Sequence, residues 1–524
     1  MSYQEALALL RAGRPQEAAA LLQSVLSGHS SDAQAWFLLG ACHHALNDLS
    51  RAASEFARSL ALNPDNIEAH LAHVSTLRAA GDVSSTLAAC KQAQARFPGD
   101  TRIVYATALC LEDSGHTSDA LAHYDAALRI TPDFDDALHN RGLLLMRLGR
   151  LEDAEANQRC YVAAHPDVPR AHSGLADVLL ALDRFVEAIE VLDMIGRLSS
   201  GDVSVLLRRG VAHAAMRRYA EARADFADAQ RRDADAVEKY LKNVAPGADP
   251  ELMLSPENIY LSRCWAALAR CDWNRWEEFV SEMRSIATTP GSAVEPAIAF
   301  MSRLVPLSGA ERHGVARQIA TRIEARYTAL PPLVPVKRAR IRVGVLSPDF
   351  REHLNAYLLL PLFELLDRDR FELFGYSLTA DDGSAIRGRV RSAADVFRDL
   401  QPVSDHEAAK AIRSDDIDIL VDVGGYTTGA RFAITAQRPA RLQVNYLGFS
   451  SSFGSRRVDC AIVDRIVGSD DAEWTEARVF LPHTHFLYDF RAPPPETHVA
   501  RQDYALPADA FVYCAFHRAE KISP

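Results

Sequence analysis

Pro64, Pro98, Pro132 and Pro166 stand 34 residues apart. The same period carries Ala18, Ala52, Ala120, Ala154, Ala188 and Ala222, with Thr86 in the remaining slot. It also carries Gly40, Ala108, Gly142, Ala176 and Gly210, interrupted by Val74. Ser30 and Ser200 extend the proline phase at either end, and Phe56, Tyr124 and Phe226 each follow the alanine register by four residues. Coincident registers of one period impose a repeat architecture. A pair of antiparallel helices per repeat satisfies them. Small residues sit where the two helices touch, an aromatic fills the space between repeats, and proline ends the second helix.

This pattern is similar to the tetratricopeptide (TPR) consensus, with about six repeats expected between Ser2 and roughly Asp235, hence a first region at 1–235. Stacked repeats bury their core between neighbours and leave a concave groove exposed. Such a groove suits an extended protein segment. A spacer or a self-association module would use the same scaffold, and the fold alone names no partner.

From 236 to 335 the period fails while the helical pattern persists. LSRCWAALARCDWNRWEEFVSEM is amphipathic and carries Trp265, Trp273 and Trp276. Tryptophans at this spacing are expected in a core, here a seam between the repeats and the next domain. PPLVPVKRAR then reads as a linker opening a new domain.

After Arg340 short apolar runs alternate with helical ones. Strands are expected at 341–347, 371–378, 417–423, 442–447 and 459–464, and helices at 356–366, 385–397 and 406–413. Such alternation implies a mostly parallel sheet covered on both faces, over 336–510. In that architecture ligands bind beyond the carboxyl ends of the strands. The first strand runs into Ser347-Pro348-Asp349-Phe350-Arg351-Glu352-His353. The third runs into Gly424-Gly425-Tyr426-Thr427-Thr428-Gly429, and the fourth into Gly448-Phe449-Ser450-Ser451-Ser452-Phe453-Gly454. Asp349 and His353 fit proton handling, because an imidazole titrating near neutrality can accept a hydroxyl proton. They fit equally an N-cap and a first-turn surface residue. Gly424, Gly425, Gly448 and Gly454 permit close backbone approach, or a tight strand exit. Neither a Walker A nor a GxGxxG motif occurs, which argues against a nucleotide-hydrolysing or dinucleotide site.

Composition narrows the class further. A net charge of −11 and a pI near 5.9 oppose a general nucleic-acid binder, although local basic patches remain possible. The N-terminus lacks the basic and apolar blocks of a signal peptide, and no run reaches the length of a membrane span. The eight cysteines show no paired or metal-ligand spacing, so buried free thiols in a reducing cytoplasm are expected.

The ordered segments RIRVGVLSPDFREHLNAYLL, FELFGYSLTADDGS, DIDILVDVGGYTTGAR, QRPARLQVNYLGF and VYCAFHRAEKISP resemble the TPR-containing O-GlcNAc transferases and the plant SPINDLY proteins. The CDWNRW segment also looks like bacterial members. The resemblance implies an α-helical TPR solenoid followed by an α/β Rossmann-like lobe, the first half of a GT-B glycosyltransferase. Residues 511–524 would begin the second lobe, and a chain ending at Pro524 would hold little of it. The implied activity is inverting transfer of GlcNAc from UDP-GlcNAc to Ser/Thr hydroxyls of proteins recruited by the groove, without a cofactor or required metal. Asp349 and His353 match the family's DFxxH motif, which implies proton handling or site organisation, with the base undecided. Lys521 matches a lysine that contacts the donor diphosphate, and Arg518 lies in the same donor-binding segment. Gly424, Gly425, Gly448 and Gly454 would belong to active-site loops. Of the family's GNHPT pattern only His353 is retained. The glycine loop GYPGTSG becomes Gly448 to Gly454 with one proline and one glycine lost. A related transferase with another donor, such as GDP-fucose, and a non-catalytic TPR scaffold are the alternatives.

Overall fold

A computed structural model of the chain describes residues 2–199, 201–245, 249–334, 336–487 and 501. The chain divides into two compact units, Met1–Ala212 and His213–Pro524.

The first unit is built from helix pairs. Ser2–Arg11 and Pro15–Gly28 come first, followed by Ala33–Ala45 with Leu49–Leu62 and Ile67–Ala79 with Val83–Arg96. Thr101–Asp113 with Thr117–Ile130, Asp135–Arg147 with Leu151–Ala164, and Pro169–Ala181 with Phe185–Leu198 continue the series. A seventh pair of the same lengths, Val203–Ala215 and Tyr219–Arg232, contains the division between the units. Among the described residues the pairs number seven, against the six or so expected. A further register explains the count. Gly13, Asn47, Gly81, Gly115, Gly149, Asp183 and Arg217 all adopt positive φ, one in each turn between paired helices. Glycine and asparagine enter that conformation at least cost.

The other registers act as their chemistry dictates. Helices start on Asp32, Asp48, Asn66, Asp82 and Asp100, whose side chains accept the free backbone N–H groups of the first turn. Second helices stop at Leu62, Arg96, Ile130 and Ala164, two residues before each proline of the register. Gly40 is small because a Cβ there would lie 2.8 Å from the Phe56 ring.

In the second unit, Pro256–Leu268, Trp276–Thr288 and Gly309–Arg326 are helices that share a core with the sheet's loops. Tyr260, Phe279, Met283, Val315 and Ile319 pack in one cluster with Tyr426, Phe449 and Phe453. Trp265, Trp273 and Trp276 are partly buried against this cluster. The tryptophans thus face a core within this unit, and the bridging helices and the α/β lobe fall in one unit.

Among the described residues seven strands form one parallel sheet. They are β1 Ile341–Ser347, β2 Phe371–Ser377, β3 Val396–Asp399, β4 Ile419–Asp422, β5 Leu442–Tyr446, β6 Cys460–Val463 and β7 Ala477–Phe480. Their order is β3-β2-β1-β4-β5-β6-β7. Val345 and Val421 face one side, under helices Leu354–Leu365 and Ala385–Ala393, while Leu346 and Leu420 face the other, under Asp405–Ser414. The helix expected over 385–397 ends at Ala393, and its last residues enter β3. That strand is a four-residue edge whose Arg398 and Asp399 are exposed, so no apolar run announces it. The short edge strand β7 is equally silent in the sequence.

Candidate functional site

The strand order reverses between β1 and β4, and there the loops that follow them open side by side. In the loop after β1, Phe350 is fully buried against Phe363 and Phe397, which anchors the chain. Ser347 Oγ accepts the Asp349 N–H at 3.0 Å, and Asp382 accepts the Glu352 N–H at 2.7 Å. That N–H, with Ser384, holds the Asp382 carboxyl down to about 2. The buried Arg387 guanidinium donates to the Phe350 carbonyl at 2.6 Å and to Ser377 Oγ at 2.9 Å, and pairs with Asp399. The side chains of Ser347, Phe350, Asp382 and Arg387 thus fix the loop.

On this frame Asp349 is buried and the His353 side chain is 32% exposed. His353, rather than Asp349, is the N-cap of helix Leu354–Leu365, and its Nδ1 accepts the Asn355 N–H at 3.2 Å. Asn355 Nδ2 donates to Asp349 Oδ2 at 2.7 Å, and Asp349 Oδ1 lies 3.5 Å from His353 Nδ1. While Nδ1 accepts from Asn355, the neutral ring carries its hydrogen on Nε2 and can donate there. If the ring gains a proton, Nδ1–H has Asp349 as its anionic partner. One imidazole therefore has a capping arrangement and a carboxylate-paired one.

The loop after β4 turns on Asp422, whose Oδ1 accepts the N–H groups of Gly424 and Gly425 at 3.0 Å each. Oδ2 accepts the Thr435 hydroxyl at 2.6 Å. Burial pushes this carboxyl above its ordinary range, against the pull of those three donors. A Cβ on Gly424 would lie 2.9 Å from Pro348, and one on Gly425, at φ +56°, would strike Phe449 and Phe453. A Cβ on Gly448 would likewise strike the Val423 carbonyl, and would lie 3.1 Å from Asn355 Nδ2. Asp349, His353, Gly424, Gly425 and Gly448 are therefore brought together, and the glycines admit neighbouring protein backbone and side chains.

Gly454 stands elsewhere, at φ +65° against the backbone of Ala316 and Arg317 on helix Gly309–Arg326. That helix clamps the loop after β5. Arg312 donates to Glu473 at 2.8 Å, and Glu473 also takes Ser451 Oγ and Arg303. Glu476 accepts Ser452 Oγ at 2.6 Å and the Phe453 N–H at 2.7 Å, with its carboxyl raised by burial. His485 Nε2 faces Ser450 Oγ at 3.1 Å. Lys521 and Arg518 lie outside the described residues.

Asn355, Arg387 and Asp422 went unnoticed in the sequence. A signal existed for Asp422, a carboxylate in an otherwise apolar strand. Cys42, Cys90, Cys110 and Cys264 are buried as expected, whereas Cys160 and Cys271 are exposed and Cys460 is half-buried. Among the described residues no helix is long and apolar enough to cross a membrane. In the first unit, Ala122, Asp125, Leu128, Arg129 and Arg141 line a recess of about 550 Å³.

Residues 270–495 match the model of glycosyl transferase family 41. Residues 3–67 and 139–203 match a tetratricopeptide repeat model, and 113–149 another TPR model. Over 277 residues the chain is 32% identical to a protein of Arabidopsis thaliana described as probable UDP-N-acetylglucosamine–peptide N-acetylglucosaminyltransferase SEC. That match covers 48% of this chain and 28% of the relative. A Caenorhabditis elegans UDP-N-acetylglucosamine–peptide N-acetylglucosaminyltransferase is 32% identical over 237 residues, covering 42% and 20%. The chain thus spans less than a third of the length of these relatives. Among solved structures, an O-GlcNAc transferase mutant of Thermobaculum terrenum aligns with 81% of this chain and 64% of its own, at 22% identity and a TM-score of 0.36.

Proposed function

We propose that this chain, which joins tetratricopeptide repeats to a glycosyl transferase family 41 region, transfers GlcNAc from UDP-GlcNAc to Ser/Thr hydroxyls of proteins held by its repeats. The observation that carries this reading is the Asp349–His353 pair. It sits at the strand-order reversal, inside the segment matched by the family model.

Transfer from a nucleotide sugar to a hydroxyl needs a proton removed from the acceptor and negative charge stabilised on the leaving diphosphate. His353, turned so that Nδ1–H points to Asp349, presents Nε2 as acceptor for the hydroxyl proton. The buried carboxylate then stabilises the imidazolium. In the capping arrangement Nε2–H instead donates to an oxygen of donor or acceptor. Arg518 and Lys521 would offset charge on the diphosphate. Attack opposite the leaving group inverts the anomeric centre. The reaction is read as needing no metal ion or cofactor, and the cytoplasm as its place.

The test is product identity. The chain is incubated with candidate protein acceptors and, separately, UDP-GlcNAc or GDP-fucose, and modified residues are located by mass spectrometry. N-acetylhexosamine on Ser or Thr supports the proposal, and deoxyhexose redirects it to the other donor. No transfer from either, with acceptor still bound by the repeats, favours a scaffold.

A further inference from the structure

The third repeat, Ile67–Ala79 with Val83–Arg96, keeps Gly81 and Pro98 but departs from the small-residue and aromatic registers of the solenoid. Val74 replaces a glycine or alanine, and Thr86 replaces an alanine. Cys90 occupies the position held by Phe56, Tyr124 and Phe226 in other repeats. A small residue therefore stands where others place a ring between repeats. Into the space comes Cys110, from helix Thr101–Asp113 of the fourth repeat.

The two sulfur atoms lie 3.2 Å apart, closer than an ordinary non-bonded sulfur contact. Both side chains are almost wholly buried, among Val74, Ala89, Leu77, Leu87 and Ala106. Cys160 and Cys271, by contrast, stand exposed. Closing the pair to a bonded separation of about 2.05 Å asks for a shift of roughly one ångström. Side-chain rotation with a small helix adjustment supplies that.

The pair is also asymmetric. Its shared hydrogen bond pulls the Cys90 thiol below its ordinary range, helped by the Thr107 hydroxyl, and pushes Cys110 up. Cys90 is therefore the readier thiolate, and the thiolate is the reacting form.

We propose that Cys90 and Cys110 are a modification site, forming a reversible disulfide that staples the third repeat to the fourth when a peroxide is present. Cys90 sulfur attacks one peroxide oxygen, the O–O bond breaks, and the sulfenic acid forms with release of one water. Cys110 sulfur then displaces the hydroxyl of that sulfenic acid as a second water, and the S–S bond forms. Two thiols lose two electrons and two protons, and the peroxide takes them up. The link closes a loop between residues 20 apart. It restricts the unfolded chain and ties the seam at which the repeat pattern is weakest.

The experiment uses the full chain and hydrogen peroxide at a dose that oxidises the exposed Cys160 or Cys271. Remaining thiols are alkylated in denaturant, and the protein is digested with trypsin. Cleavage after Lys91 and Arg102 puts Cys90 on peptide 79–91 and Cys110 on peptide 103–129, so only a disulfide keeps them together. The expected product is this joined pair, two hydrogens lighter than the sum. It is separated by dithiothreitol and absent from a Cys90→Ser variant. The oxidised wild type should also melt several degrees higher, with no such rise in the variant. Recovery of Cys90 as a free thiol, as a sulfinic acid or joined to another cysteine overturns the proposal.

Discussion

Asn355 donates its side-chain amide to the Asp349 carboxylate at 2.7 Å, while its backbone N–H donates to His353 Nδ1 at 3.2 Å. One residue therefore holds both members of the candidate pair, and its two contacts separate by mutation. Asn355→Ala keeps the backbone donor and leaves a buried carboxylate short of one hydrogen bond, costing about 1–3 kcal/mol of stability. Asn355→Asp sets two carboxylates against each other, so one must take up a proton. The expected order of sugar-transfer rates is wild type, then Ala, then Asp. The Asp variant should fall at least about tenfold, or ~1.4 kcal/mol of barrier. Equal rates for all three would detach Asp349 from the chemistry.

Asp422 holds the glycine loop and titrates in the opposite sense to a salt-bridged aspartate. Burial raises its folded pKa above the ordinary value, so the folded state binds the proton more tightly than the unfolded state. Its contribution to stability is full below the unfolded pKa and declines as pH rises through the raised folded value. The Asn amide oxygen can accept both glycine N–H groups, and its NH2 can donate to the Thr435 hydroxyl oxygen. Asp422→Asn should therefore gain stability relative to wild type as pH rises from 4 to 7, whereas Asp422→Ala should unfold more easily throughout. Denaturant melts across that range check both, and parallel curves for wild type and Asn would contradict the account.

Gly454 stands in the left-handed region against the backbone of helix Gly309–Arg326. Gly454→Ala pays about 1–3 kcal/mol for the backbone alone, and more for displacing the helix. Four of the five tryptophans, Trp265, Trp273, Trp276 and Trp474, lie in the second unit. Fluorescence-monitored unfolding should show an early transition there. An unchanged midpoint would mean that the helix does not clamp the loop.

Gln158 is fully buried between Gly142 and Gly174, with neither amide atom hydrogen-bonded to protein. Its position is the one that Phe56 and Tyr124 fill in other repeats. Gln158→Met keeps length and flexibility while removing the unsatisfied polar atoms. It should stabilise the solenoid by about 1–3 kcal/mol, seen as a higher midpoint by circular dichroism. A lower midpoint would show that the amide has a partner in solution, such as a buried water.

The sequence announces what local chemistry controls. The 34-residue registers place the helix pairs, and the apolar runs place β1, β2, β4, β5 and β6 within a few residues. β3 and β7 are missed because edge strands keep polar side chains and need no apolar pattern. The left-handed turn register escapes notice because Asn47, Asp183 and Arg217 stand in three of its slots. At the site, Asp349, His353 and the glycines are visible as unusual residues after strands. Their supports are not, because Arg312 and Glu473 are 161 residues apart and Ser455 and Glu324 are 131 apart. Only the fold brings such pairs together. His353 as a helix cap is invisible for a different reason: the backbone angle at one residue decides it.

In the proposed function, the loop after β1 performs glycosyl transfer to protein hydroxyls. This role is tested most directly by comparing initial transfer rates of wild type and His353→Ala, with UDP-GlcNAc and an acceptor bound by the repeats, after both proteins are shown to melt alike. The expected result is N-acetylhexosamine on Ser or Thr from the wild type and a rate lower by about 10²–10⁴-fold in the variant. A folded His353→Ala protein transferring at the wild-type rate would contradict it.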